Sequence, residues 1–290
     1  MIPKHKKTKR KSGNHHIVRC PIHLPPPMSP LDNATRPNTR AVTASAQQRT
    51  PTQRENHTNY INHKMPRMRA NINIATLNMN GLSALTNNMS YLDKWSMINQ
   101  TLNKFKIAIL AIQETHLDEE TTNRIRISYG KKMNILTSYN PENPQTTAGV
   151  AFVINKSLIA PSKIVTHKLI PGRALVAIEI EWLETETTRL VNIYAPNNRT
   201  THHLFWNEID ATRRDKRIPK PDFVLGDFNV TEELIDQAPT QLDDQNAIEA
   251  LRDLRHAWEI HDTWRLAYPN EKTYTYCANT NNGYIKSRLD

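Results

Sequence analysis

Apolar and polar positions fall into regular periods only from residue 71 onward. NINIATLN (71–78) places Ile72, Ile74 and Leu77 in a strand-like pattern and runs into the turn-prone Met79-Asn80-Gly81. Ser90 is a candidate cap for a helix whose apolar stripe is Leu92, Trp95, Ile98, Leu102 and Phe105. The continuous run IAILAIQ (107–113) predicts a buried strand, with Glu114-Thr115-His116 at its end. Further strands are expected over 133–139, 149–155, 174–182 and 189–195. Phe205 and Ile209 mark a helix that leads into the basic, proline-punctuated loop 213–221. DFVLGDFN (222–229) is a short strand ending in polar residues. Ala247, Ile248, Leu251, Leu254 and Trp258 form another helical stripe, and TYTYCA (273–278) a late strand. Helices interleave with strands, several of them apolar on both faces. This predicts an α/β fold whose sheets are covered by helices.

Charge separates this region from what precedes it. Of the 290 residues, 1–70 hold 14 Lys and Arg against 2 Asp and Glu, whereas 71–290 hold 24 against 26. The net charge of +10 therefore belongs to the first quarter of the chain. That segment is rich in Pro, Asn, Thr and Gln, has no helical or strand period, and is expected to be a disordered arm. Residues 71–290 make one domain with enough chain for a substantial core. The cluster Lys4, Lys6, Lys7, Lys9, Arg10 and Lys11 reads as a nuclear address, a nucleic-acid-binding arm or a solvated tail. A nuclear, otherwise cytoplasmic, location is the expectation. No apolar run reaches the length of a membrane span. The two cysteines, Cys20 and Cys277, cannot form a disulfide scaffold or complete a thiolate zinc site.

Chemistry collects at the strand ends. Asn78, Glu114, Tyr194 with Asn197, and Asp227 with Asn229 each follow the C-terminal end of an apolar strand, where a sheet builds its sites. An isolated Asp-x-Asn is a turn signal and an isolated Glu is ordinary surface. Four such signals in one chain point to a shared rim. A carboxylate beside a buried strand needs a partner or a cation. Glu114, Asp227 and an Asn78 carbonyl offer hard oxygen ligands and no thiolate, which suits Mg²⁺ or Mn²⁺. Asp227 and Asn229, two apart on extended chain, are expected to point to the same side, one orienting water and the other holding a phosphate oxygen.

These segments resemble a known family. Leu77-Asn78-Met79-Asn80-Gly81-Leu82, Gln113-Glu114-Thr115-His116, Asn192-Ile193-Tyr194-Ala195-Pro196-Asn197 and Gly226-Asp227-Phe228-Asn229 are similar, in order, to the motifs of the endonuclease/exonuclease/phosphatase (DNase I-like) superfamily. The QETH and IYAPN wording, Trp264-Arg265, Tyr274-Thr275-Tyr276 and Ser287-Arg288-Leu289-Asp290 are most similar to endonuclease domains of non-LTR (LINE-type) retrotransposons. The resemblance covers 71–290. It implies a four-layer α/β sandwich of two stacked β-sheets flanked by helices, and a Mg²⁺-dependent phosphodiesterase site at one rim. By the same resemblance Asn78 and Glu114 are metal-site residues and Tyr194 contacts the scissile phosphate. Asp227 activates or positions water, Asn229 contacts phosphate, and Asp290 orients a catalytic histidine. Asn80 stands where many apurinic endonucleases have aspartate; the retroelement branch commonly has asparagine there.

The family's catalytic His lies in a Ser-Asp-His motif beyond the segment that ends here at Asp290. His116, His202, His203 and His261 do not match it. The expectation is a C-terminally incomplete domain with impaired chemistry, since that imidazole normally serves the charge that gathers in the transition state. DNA is the expected substrate, with Asn197, Thr275 and the basic cluster Arg213, Arg214, Lys216, Arg217 and Lys220 as candidate contacts. The intact reaction would nick target DNA and leave a 3′-hydroxyl for priming. The alternatives are a DNA-binding remnant without catalysis and a phosphoesterase of the same fold acting on a small phosphoester. Oligomeric state is not legible in the sequence.

Overall fold

The computed structural model describes residues 72–79, 91–159, 164–183, 186–280 and 283–289. The basic arm, Asn80, the Ser90 cap and Asp290 lie outside the described residues. One sheet is ordered β1-β2-β4-β3, from β1 (Asn73–Asn78), β2 (Ile107–Gln113), β3 (Met133–Ser138) and β4 (Val150–Asn155). A second is ordered β5-β6-β7-β8, from β5 (Val165–Ile170), β6 (Ala174–Leu183), β7 (Glu186–Tyr194) and β8 (Phe223–Asp227). Helix α1 (Tyr91–Lys104) links β1 to β2, α2 (Glu119–Tyr129) links β2 to β3, and α3 (Arg199–Asp215) links β7 to β8. After β8 come β9 (Gln237–Ala238), α4 (Gln245–Trp258), α5 (Thr263–Ala267), β10 (Tyr276–Thr280) and β11 (Gly283–Ser287).

Strand alternation separates three cores, and these define the four layers. Leu110 and Ile112 of β2 face outward with Ala151 and Val153 of β4, packing on Trp95, Ile98 and Leu102 of α1 and Ile125 of α2. Their neighbours Ile109, Ala111, Val150, Phe152 and Ile154 face inward, against Leu175 and Leu190 of the second sheet. Val176, Val191 and Ile193 face the far side, under Phe205, Trp206 and Ile209 of α3 and Ile248, Leu251 and Leu254 of α4. The two-sided burial of β2 and β4 is what their unbroken apolar runs require. Gly226 lets β8 approach β7 closely. At its φ of 139° a Cβ would stand 1.9 Å from the Ile193 carbonyl oxygen.

A buried polar side chain crosses between the sheets. The Asn192 amide on β7 donates to the carbonyls of Ile112 (3.0 Å) and Ala151 (2.8 Å) and accepts from the Gln113 amide (2.7 Å). Gln113 in turn donates to the Thr76 hydroxyl. A buried polar group left unpaired costs about 1–3 kcal/mol, so this network ties the sheets at one relative position. That position sets which strand ends meet. Pairing is parallel for β1 with β2 and for β7 with β8, so all four strands deliver their C-terminal ends in pairs.

Several elements differ from the pattern-based expectation. Helix α2 and strand β5 carry few buried apolar residues, Ile125 and Leu169 being the main ones, so no period marks them. Residues 213–215 continue α3 instead of opening a loop. The late strand begins at Tyr276 and forms a hairpin with β11, which extends to β9 as a small third sheet. Arg288 holds this hairpin to the body, its Nε donating to Asp236 (2.8 Å) and its Nη2 to Asp262. Arg265 also pairs with Asp236. Among the described residues no strand pairs with the outer edge of β8, where a groove is lined by Phe223, Leu225, Val230, Leu251, Trp258 and Ile260. No helix among the described residues is long and apolar enough to cross a membrane.

Candidate active site

The strand ends of both sheets converge on one rim. Asn78 ends β1, Glu114 follows β2, Tyr194 ends β7 and Asp227 ends β8. The Asn78 amide nitrogen donates to Glu114 Oε1 at 3.1 Å and to Asp227 Oδ2 at 2.7 Å. The Tyr194 hydroxyl donates to Glu114. Asp227 is only 7% exposed, and its other oxygen accepts from the Asn229 backbone N–H at 3.1 Å. Burial pushes the Asp227 carboxyl above the usual carboxylate range; the Asn78 and Asn229 hydrogen bonds oppose this and the charge of Glu114 adds to it. Burial, followed by the charge and hydrogen bond of Glu114, likewise raises the Tyr194 hydroxyl, which stays protonated and can donate.

One expectation about this geometry is corrected. Asn229 does not sit on extended chain, because its φ is 51°. The Asp227-to-Asn229 step is instead a turn in which the backbone of Asn229 steadies the carboxylate, while its Nδ2 donates to the Ala195 carbonyl at 2.8 Å. The Asn78 amide turns its nitrogen toward the two acids. Two carboxylates share one neutral amide, and the charge of Glu114 adds to the raised proton affinity of Asp227.

The backbone around Glu114 is forced. Glu114 and His116 hold positive φ values of 50° and 47°. Thr115 and His116 donate to the carbonyls of Gly149 and Ala148, and Gly149 donates to Gly172. These bonds strap the turn after β2 to the turns before β4 and β6. Non-glycine residues held at positive φ cost energy and gather at functional sites; here one of them carries the carboxylate. The sequence reading missed Arg173, on the turn before β6. Its guanidinium lies 4.7 Å from the Tyr194 ring centroid, and a Pro-Gly-Arg turn carries no signal for that placement.

Other candidates lie elsewhere. Arg213 and Arg214 are not at this rim. Helix α3 crosses from the end of β7 back to the start of β8, so its last turn lies at the opposite end of the sheet. Both pair there with Asp210, and Arg213 also donates to the Ile218 carbonyl. Thr275 stands at one remove: its hydroxyl accepts from Leu289 N–H, and the Leu289 carbonyl accepts from Phe228 N–H. Asn197 is exposed on the turn into α3.

His202 and His116 are both held below the ordinary imidazole value of 6.5, burial being the first cause in each. His202 bonds the Phe228 carbonyl at 3.0 Å, directly beneath the Asp227 turn. The folded state therefore binds fewer protons than the unfolded one, and the stability this confers is lost as pH falls from about 6.5 through the folded value. Thermal unfolding followed from pH 8 to 5 should show a declining midpoint, with a shallower decline in His202→Gln.

The endonuclease/exonuclease/phosphatase family model matches residues 75–285. The chain belongs to the endonuclease/exonuclease/phosphatase family. Solved structures with the same fold include an AP endonuclease from Archaeoglobus fulgidus, at a TM-score of 0.54 and 17% identity over 74% of this chain and 86% of that one. The AP endonuclease LMAP from Leishmania major gives 0.57 and 14% identity, covering 74% and 79%. The endonuclease domain of TRAS1, a telomere-specific non-LTR retrotransposon, gives 0.50 and 16% identity, covering 76% and 83%. A 149 kDa uncharacterized protein of transposon TX1 from Xenopus laevis is 26% identical over 220 residues. This family member matches it over 76% of its own length and spans 16% of that protein.

Proposed function

We propose that this chain is a divalent-cation-dependent phosphodiesterase that nicks DNA, of the kind found in non-LTR retroelements. The observation that carries the proposal is the meeting of Asn78, Glu114, Tyr194 and Asp227 from four strands of two sheets. The retroelement assignment draws on the TX1 and TRAS1 likenesses.

The donor set suits Mg²⁺ better than zinc. Among the described residues no three His, Cys, Asp or Glu side chains gather to hold a metal, whereas Mg²⁺ takes one or two carboxylates and keeps water and phosphate as its other ligands. Glu114, with the Asn78 side chain, would hold it; Mn²⁺ has the same preference for oxygen. Bound there, the cation supplies charge neutralisation for a phosphoryl oxygen and for the leaving oxygen. Asp227, with raised proton affinity and both oxygens fixed, positions water and accepts its proton. The Tyr194 hydroxyl would turn from Glu114 to donate its proton to a phosphate oxygen once that carboxylate holds the cation, and Asn229 holds the Asp227 turn in place. The imidazoles near this rim, His116 and His202, are kept neutral, and His202 is committed to a backbone carbonyl. Among the described residues neither is placed as the proton donor to the leaving oxygen, and the reading includes an impaired rate.

Supercoiled plasmid incubated with the full chain and Mg²⁺ should become open circular, and chelation should stop the conversion. Hydrolysis of small phosphoesters with no nicking of DNA would reverse the assignment of substrate.

A further inference from the structure

We infer that the end of the first sheet opposite the catalytic rim is a second nucleic-acid surface, which holds a single strand by its phosphates and stacks one base on Phe105. None of its residues belongs to the rim, so this surface stands or falls apart from the phosphodiesterase reading.

Strand direction sets the two surfaces apart. Glu114 follows the C-terminal end of β2 and Lys106 precedes its start, so they are separated by the length of a seven-residue strand, about 23 Å. Pairing of β3 with β4 brings Lys131, Lys132 and Lys156 to the Lys106 end: Met133 lies opposite Asn155, and Lys156 N–H donates to the Lys132 carbonyl at 3.0 Å. The Asn155 amide donates to the Ile107 carbonyl at 3.2 Å, tying this end of β4 to the start of β2. Helices α1 and α2 both run from the rim to this end, and their last turns add Lys104 and Arg126.

No acid answers that charge. Residues 94–113, 121–141 and 143–178 include neither Asp nor Glu. Among the described residues no carboxylate pairs with Lys104, Lys106, Arg126, Lys131, Lys132 or Lys156. Two of the six have local work: Lys156 Nζ donates to the Gly130 carbonyl at 2.6 Å and Arg126 to the Ile135 carbonyl. Lys104, Lys106, Lys131 and Lys132 are exposed. Acids and bases nearly balance over 71–290, 26 against 24, so this end is basic by segregation of charge and attracts a polyanion. The basic arm joins the body here as well. Asn73 opens β1 opposite Ile107 and its amide donates to the Phe105 carbonyl at 3.1 Å; Lys64, Arg67 and Arg69 precede Asn73 by nine, six and four residues.

Charge alone does not choose between a duplex and a single strand; Phe105 does. The turn from α1 into β2 holds Lys106 at a φ of 51° and leaves Phe105 40% exposed, with Lys104 Nζ 5.2 Å from the ring centroid. Lys104 is itself exposed and is free to move from the ring to a phosphate. An exposed ring among cations gives a base a stacking face while the ammoniums hold its phosphates, and only unpaired bases reach such a ring.

Binding of labelled dT and U oligonucleotides of roughly 16 nucleotides, measured with the full chain in chelator across a salt series, tests this surface. Each neutralised phosphate of a single strand contributes about 0.7 to the slope of log affinity against log salt. The triple variant Lys106→Gln, Lys131→Gln, Lys132→Gln should lower the slope by about 2, while the arm's share stays constant. Phe105→Ala should weaken binding roughly 5- to 150-fold at fixed salt and leave the slope unchanged. Tighter binding of U or of dT names RNA or DNA as the strand, and equal binding fits a surface that takes only phosphates and a stacked base. An unchanged slope in the folded triple variant overturns the surface. A duplex that binds as tightly as the single strands, with Phe105→Ala without effect, overturns the single-strand assignment. Should Phe105→Ala fail to fold, Phe105→Trp decides: a bound strand should quench the added fluorescence, and no quenching overturns the stack. A parent chain that never nicks DNA when Mg²⁺ is supplied overturns the phosphodiesterase reading alone, and the slopes still decide this surface.

Discussion

Glu114→Gln is expected to reduce Mg²⁺-dependent nicking by roughly 10³-fold or more while the chain stays folded. The amide matches the carboxylate in size but carries no charge, and Glu114 is the acid that would hold the cation. Folding should survive because the positive φ at residue 114 and the straps from Thr115 and His116 to the Gly149 turn are backbone features. A spectroscopic readout accompanies the loss. Glu114 raises the Tyr194 hydroxyl through its charge and its hydrogen bond, so in the variant one tyrosine should ionise at lower pH in an ultraviolet titration. Burial, the larger cause, keeps that value above the ordinary one. Parental nicking by Glu114→Gln would remove the metal-site reading.

Asp227→Asn should abolish nicking yet raise thermal stability when divalent cations are absent. Burial raises the folded-state proton affinity of Asp227 above the unfolded value of 3.8, despite two hydrogen bonds that favour the ion. A group raised in this way contributes stability that is fully present below the unfolded value and is lost as pH rises through the folded one. At neutral pH the ionised carboxylate therefore lowers stability, and a neutral amide removes that burden. A relief of 1 kcal/mol corresponds to about 2–4 °C in a domain of this size. The gain should vanish in acid, where the parent is protonated as well. Adding Mg²⁺ should stabilise the parent, because ligands that bind only the folded state shift unfolding, and should do less for the variant. Scanning calorimetry with and without the cation provides both comparisons. An Asp227→Asn chain that melts below the parent at neutral pH, without metal, would show that the carboxylate is there for structure.

Much of the architecture was readable because it rests on short-range periods. The unbroken runs of β2 and β4 and the helical stripes of α3 and α4 matched buried faces, as did Trp95, Ile98 and Leu102 of α1, whereas Leu92 is exposed and Phe105 lies exposed past the helix end. Strand β5 and helix α2 were not readable because they bury few apolar side chains; neighbours already in place hold them, through pairing with β6 for β5 and the caps at Asp118 and Gly130 for α2. The placement of Asn78, Glu114, Tyr194 and Asp227 at strand ends followed from where apolar runs stop.

What they do to one another did not follow. Asn78 meets Glu114 across 36 positions and Asp227 across 149, and contacts of that separation leave no period in the chain. The basic run at 213–220 is legible as a candidate nucleic-acid patch because charge density is local; that the crossover from β7 to β8 puts its arginines at the opposite end of the sheet from the acids is not. Arg173 shows the converse, an unremarked turn residue brought to the reactive rim by a bond from Tyr194. The amino-acid order by itself determined which segments are strands and helices and which ends carry acids. Only the stacking of the sheets, held by Asn192 against Ile112 and Ala151, decided which of those ends share a site, because relative sheet position is set by long-range packing and buried hydrogen bonds.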